Sequence, residues 1–123
     1  MYLVDSSVWI NHLRASDEAL IKALRTDLVS THPYVVGELA LGSLKNRMTF
    51  IEMMKNLPSV KVADNEEVLD MIDARGLFSR GLGWIDAHLL ASSLITGGAS
   101  LWTDDKRLGD IASELGVAGR YEI

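Results

Sequence analysis

Apolar positions along the chain change their spacing several times, and each change marks an element. Tyr2-Leu3-Val4 is a short apolar run that stops at Asp5. Beyond it Val8, Trp9, Ile10 and Leu13 fall at helical spacing, with Ser6 and Ser7 able to cap, so strand–turn–helix is predicted. A second helix is predicted from Ser16, with Leu20, Ala23 and Leu24 on one face. Leu28 to Thr31 reads as a second strand. Pro33 suits the first turn of a third helix, which carries Tyr34, Val35, Glu38, Leu39 and Leu41 and stops near Gly42. Leu44, Met48, Ile51 and Met54 predict a fourth helix, ended by Pro58.

Val60-Lys61-Val62 then reads as a short strand, and a helix opens near Asp64-Asn65 with Val68, Met71 and Ile72 turned inward. Arg75 to Gly83 holds three glycines and reads as a loop. Trp84 to Thr96 is apolar almost all round, as expected of a largely buried helix. Gly97-Gly98 ends it, Ser100 to Thr103 is a further strand, a helix follows from about Asp105 to Leu115, and Arg120 to Ile123 is predicted as a last strand. Strands alternating with helices indicate an α/β fold with a mostly parallel central sheet.

Composition narrows what such a fold can do. At 123 residues, 48% hydrophobic, the chain is expected to form a single domain, residues 1–123, with its own core. A net charge of −5 disfavours a broadly basic nucleic-acid module. The absence of cysteine excludes disulfides, thiolate metal sites and thiol nucleophiles. No basic leader precedes the first apolar run, and the longest uncharged stretch falls short of the roughly 20 apolar residues of a membrane span. A soluble, cytoplasmic protein without a membrane partner is expected.

In open parallel sheets, sites form at the carboxyl ends of strands. Two strands end in acid here, at Asp5 and at Asp104-Asp105. Two further acids are out of character with their surroundings. Glu38 is the only charge between Asp27 and Lys45, and Asp86 stands alone between Arg80 and Asp104 in the first turn of the most apolar helix. Each has a structural explanation: Asp5 as a cap, Asp86 against its own helix dipole, Glu38 paired with Arg47 or Arg14, and Asp104-Asp105 as a cap plus an exposed charge. As a group they are expected at one rim. Crowded carboxylates cannot all ionise without a cation, and oxygen donors with no cysteine or histidine cluster select Mg²⁺ or Mn²⁺. Such an ion generates a nucleophile from water and stabilises a phosphoryl transition state, so phosphodiester hydrolysis is the chemistry these residues point to.

The segments Val4-Asp5-Ser6-Ser7-Val8-Trp9-Ile10, Gly37-Glu38-Leu39-Ala40-Leu41-Gly42, Trp84-Ile85-Asp86-Ala87-His88-Leu89-Leu90-Ala91 and Leu101-Trp102-Thr103-Asp104-Asp105-Lys106-Arg107-Leu108 occur in an order and spacing that resemble the PIN-domain ribonucleases. Among these the chain is most similar to the VapC-type toxins of bacterial type II toxin–antitoxin systems. The resemblance implies a three-layer α/β/α sandwich and Mg²⁺- or Mn²⁺-dependent endonucleolytic cleavage of RNA, often tRNA or rRNA. It also implies a cognate VapB-like antitoxin lying along a groove, and a homodimer. By position Asp5, Glu38 and Asp86 match the family's first three acids. The fourth falls on Asp105, with Asp104 the less favoured neighbour. Ser6 and Thr103 match polar positions that support the metal ligands. The implied roles are Asp5 and Asp86 as main ligands, Glu38 orienting the attacking water, and Asp105 completing the site.

Other residues carry less. His12, His32 and His88 are too scattered for a metal triad, and His88 points about 200° round the helix from Asp86, into the core. Trp9 and Trp84 read as core, with a rim position leaving base stacking open. Lys106, Arg107, Arg14 and Arg80 lie near the site elements, as phosphate ligands or as solvated charges. Met48, Phe50, Met53, Met54 and Leu57 exceed one helical stripe, a surplus that suits a partner surface.

Three rival readings remain. A signalling receiver-like domain is also acidic and Mg²⁺-binding, but needs an acid pair after the first strand, where Ser6-Ser7 stand. An aspartyl-phosphate hydrolase needs a second Asp two residues after Asp5. A catalytically silent binding module is separated from a nuclease by Mn²⁺ titration.

Overall fold

The computed structural model describes residues 1–123. Three strands, β1 (Tyr2–Val4), β2 (Val29–Ser30) and β3 (Ser100–Trp102), form an all-parallel sheet in the order β2-β1-β3. Leu3 lies beside Ser30 on one side and Leu101 on the other. Parallel pairing requires long crossovers, and seven helices supply them. These are α1 (Ser6–Arg14), α2 (Glu18–Arg25), α3 (Pro33–Ala40), α4 (Arg47–Asn56), α5 (Asn65–Arg75), α6 (Trp84–Ile95) and α7 (Lys106–Glu114). The α/β fold expected from the sequence is the one observed.

β1 occupies the centre because it is short and wholly apolar. Leu3 and Val4 are completely buried, and Leu101 and Trp102 beside them nearly so. Such strands read as continuous apolar runs because both faces are covered. Removing one of these side chains, as in Leu101→Ala, costs about 2–5 kcal/mol in a core of this kind. The middle of α6 is buried from Ala87 to Ser93, so the all-round apolar character of that segment reflects its position.

Two expected strands do not form. Pairing beside β2 occurs earlier than Val60–Val62: Thr31 donates to the Pro58 carbonyl, and Val60 donates to that of Thr31. Past Val60 the chain leaves the sheet, because Lys61 N donates to Thr96 Oγ1 and Ala63 N to Ser92 Oγ, both on or beside α6. Pairing beside β3 likewise centres on Ala118, through Leu101 N to the Val117 carbonyl and Gly119 N back to that of Leu101. A Cβ on Gly119 would stand 2.6 Å from that of Ser100, so glycine permits this close approach. Arg120 to Ile123 then runs free of the sheet. Two helix starts also shift: α2 opens at Glu18, capped by Asp17, and α4 at Arg47, after Asn46 in the left-handed region.

Candidate active site

The carboxyl ends of β1 and β3 lie side by side, so Asp5 and the turn Thr103-Asp104-Asp105 meet at one edge. Asp5 is buried, and two hydroxyl relays fix its Oδ2. Ser7 Oγ donates to Oδ2 at 2.8 Å and accepts from Asp104 N at 3.0 Å. Thr103 Oγ1 donates to the same oxygen at 2.7 Å and accepts from Asp105 N at 3.0 Å. Each hydroxyl therefore passes a backbone N–H of the β3–α7 turn on to Asp5, and hydrogen bonds to a carboxylate are the strong kind. Oδ1 keeps only a long contact with Ser6 Oγ, 3.4 Å, and that hydroxyl also reaches Glu38 Oε1 at 3.5 Å.

Asp86 enters from the first turn of α6. Its Oδ2 accepts loosely from Gly83 N at 3.4 Å, the carboxylate half of a capping interaction. Asp105 is the N-cap of α7, with Oδ1 accepting from Leu108 N at 2.8 Å. Asp5 holds the N-cap position of α1 without a side-chain capping bond, so that structural explanation fails for it. Glu38 makes no ion pair. Arg47, its proposed partner, donates instead to the Ala40 carbonyl at the end of α3, at 2.8 and 3.2 Å.

Glu38 and Asp86 respond to burial and to the neighbouring acids. Partial burial raises the Glu38 carboxyl above its ordinary range, and the charges of Asp5 and Asp86 raise it further, against a small opposing effect of the Ser6 hydroxyl. Asp86 is raised for the same first reason, opposed by the Gly83 N–H and reinforced by Asp5 and Asp105. Like charges held close disfavour ionisation, and that is the electrostatic signature of a site suited to a cation. No three acidic or histidine side chains close into a preformed cage. The donors are all hard oxygens, each acid keeping one oxygen without a short protein hydrogen bond. This fits a small divalent ion that takes one or two carboxylates directly and fills its remaining positions with water.

Asp104 is otherwise engaged. Its Oδ2 accepts from Asn11 Nδ2 at 2.9 Å, and its Oδ1 from Arg120 Nη2 at 3.2 Å. Of the doubled acids, Asp105 is therefore the one that shares a groove with Asp86. Trp9 is buried as expected, whereas Trp84, expected in the core, is 43% exposed because it is the first residue of α6. His88 is core, enclosed by the rings of Trp84, Tyr34 and His32. Ser7 is the residue that sequence reasoning passed over, crediting it only with capping. The available signal was its place two residues beyond a strand-end Asp, opposite Thr103 on the neighbouring strand.

Two grooves flank the acids. One, about 590 Å³, is lined by Asp86 and Asp105 together with Arg80, Gly81, Lys106 and Arg107. The other, about 490 Å³, is bordered by Glu38 and lined by Ile10, Leu13, Leu39 and Leu44, with Arg14 and Lys45 at its margin.

An open parallel sheet with acids gathered at its carboxyl edge defines a class, and comparison with known families identifies it. Residues 2–114 match the family model described as the PIN domain, and the chain belongs to that family. Over all 123 residues it is 48% identical to the protein named Ribonuclease VapC32 in Mycobacterium tuberculosis, in strains CDC 1551 / Oshkosh and ATCC 25618 / H37Rv. The alignment covers 100% of this chain and 99% of each relative, which places the chain with the VapC-type PIN-domain ribonucleases.

Proposed function

We propose that this protein is a Mg²⁺- or Mn²⁺-dependent endoribonuclease, the toxin of a VapBC-type pair, and that a tRNA or rRNA is its target. The observation that carries the reading is the convergence of Asp5, Glu38, Asp86 and Asp105 on one rim, with Glu38 and Asp86 raised first by burial and then by neighbouring acids, Asp5 and Asp86 for Glu38 and Asp5 and Asp105 for Asp86. When bound, the divalent ion supplies Lewis acidity, lowering the pKa of water and offsetting charge on the phosphoryl oxygens. The protein supplies position. Ser7 and Thr103 hold Asp5 by Oδ2 and leave Oδ1 without a short hydrogen bond, so Asp5 and Asp86 would be the main ligands of such an ion. Glu38, with one oxygen against Ser6, orients the attacking water, and Asp105 completes the set. Hydrolysis would form a P–O bond to the water oxygen and break the P–O bond to the departing ribose oxygen, which takes up a proton as the water gives one up.

The apolar groove beside Glu38 suits a segment of the cognate VapB-like antitoxin, which there obstructs the acids while burying Leu13 and Leu44. Homodimerisation is part of the same reading, supported by exposed apolar side chains such as Met48 and Phe78. No helix is long and apolar enough to cross a membrane, in keeping with a cytoplasmic site of action.

Purified, antitoxin-free protein incubated with total cellular RNA and Mg²⁺ or Mn²⁺ is expected to generate discrete new 5′ ends. Asp86→Asn protein, or chelation of the metal, is expected to generate none. Wild-type cleavage rates in both Asp5→Asn and Asp86→Asn would overturn the reading.

A further inference from the structure

The groove that contains Asp86 and Asp105 also carries three cations, and two of them have carboxylate partners at the surface of the fold. Arg80 is held by both guanidinium nitrogens against Glu114, at 2.7 and 2.8 Å. Lys106 pairs with Asp110 one turn along α7, at 2.9 Å. Arg107 has no carboxylate partner. It donates from Nη1 to the Gly81 carbonyl at 3.3 Å, across the mouth of the groove. A guanidinium carries five N–H donors, so four remain uncommitted.

Gly81 approaches this side chain closely. Its φ of +81° lies in the region that favours glycine, and a Cβ there would meet the flexible end of the Arg107 side chain, 2.9 Å from Cζ, so that any larger residue would displace the guanidinium. The guanidinium thus lies close against Gly81 of the 76–83 loop, held by one hydrogen bond yet exposed, in the groove that Asp86 and Asp105 also line. An exposed, oriented and unpaired fork next to a hydrolytic centre matches the bidentate geometry of a phosphodiester.

We propose that Arg107, laid over Gly81, binds a backbone phosphate of the RNA strand next to the scissile bond. The inference rests on the ribonuclease reading above. With Lys106 and Arg80 already paired, Arg107 is the groove's main sequence-independent anchor for RNA, and Gly81 is its positioning residue.

The test measures binding of bacterial total tRNA across a salt series in chelator, where no cleavage occurs, for wild type, R107A, R107K, R80A and G81A. R107A is expected to bind roughly two- to fivefold more weakly near 100 mM salt. Its log–log salt slope is expected to be shallower by about 0.7–0.9, one phosphate contact. R107K keeps the charge and the slope but loses part of the affinity, and R80A leaves the slope unchanged. G81A, with its fold checked by thermal melting, is expected to weaken binding without any change of charge.

A wild-type slope in R107A overturns the proposal, as does an equal loss of slope in R80A, which would indicate diffuse groove charge. A lowered melting temperature in R107A with unaltered RNA binding would make the residue a loop fastener only. These outcomes leave the nuclease reading standing. A wild-type protein that neither binds tRNA nor cleaves RNA in Mg²⁺ removes that reading, and this inference with it.

Discussion

The two grooves beside the acidic rim face the same site and are built from opposite materials. On the α7 side the lining is almost wholly polar, with Asp86, Asp105 and three cations. On the α1–α3 side Ile10, Leu13, Leu39 and Leu44 line the groove together with Arg14, Lys45 and Glu38. The first suits a charged, hydrated strand whose attraction weakens with salt. The second suits an apolar segment whose burial is nearly indifferent to salt. A surface divided in this way can admit a substrate from one side and a blocking partner from the other, with the carboxylates common to both.

The strongest way to break the division is to remove the common part. Asp5→Asn and Asp86→Asn are each expected to abolish Mg²⁺-dependent RNA cleavage, read as loss of new 5′ ends. Next in size are the hydroxyls behind Asp5. Ser7→Ala and Thr103→Val are each expected to lower metal affinity or activity by about 10–100-fold, measured by Mn²⁺ titration and initial rates.

A smaller effect concerns stability against pH without metal. Glu38 and Asp86 hold their protons more tightly folded than unfolded. They therefore stabilise the metal-free protein fully below the ordinary carboxylate range, and this contribution is lost as pH rises through their raised folded values. Glu38→Gln is expected to raise the melting temperature of metal-free protein at neutral pH and to lose that advantage in acid, by calorimetry. Mg²⁺ competes with the same protons, so its stabilising effect should fade as pH falls. The smallest expected effect is Leu13→Asp on cleavage, namely none, while inhibition by the cognate antitoxin weakens. A matching loss of cleavage in Leu13→Asp would show that the grooves are not separate.

The rim was legible in the sequence because a strand-end acid in a parallel sheet is placed by topology alone. Asp5 and the Asp104-Asp105 pair needed only their strands to be recognised. Glu38 and Asp86 were visible as lone charges on apolar helices, since an unpaired charge in such a setting is costly without a function. The preference for Asp105 over Asp104 came from the resemblance alone, and its structural counterpart, the engagement of Asp104 by Asn11 and Arg120, was not readable because those residues approach from remote parts of the chain. The two misplaced strands have the same kind of cause. Val60–Val62 has the right side chains, but the hydroxyl of Thr96 takes the Lys61 N–H and that of Ser92 takes the next one beyond the run, at Ala63. The pairing at Ala118 depends on the narrowness of Gly119, not on a run of β-formers.

The amino ends of α1, α6 and α7 all meet at this rim, and an acid of the site stands at each. Asp105 binds the amide of Leu108 with one oxygen while the other faces the groove. A ligand bound by Asp105 would compete with the cap that holds the first turn of α7. If the site takes a divalent ion as proposed, faster hydrogen exchange at the Leu108 amide on adding Mg²⁺ is the expected outcome, a readout that needs no RNA.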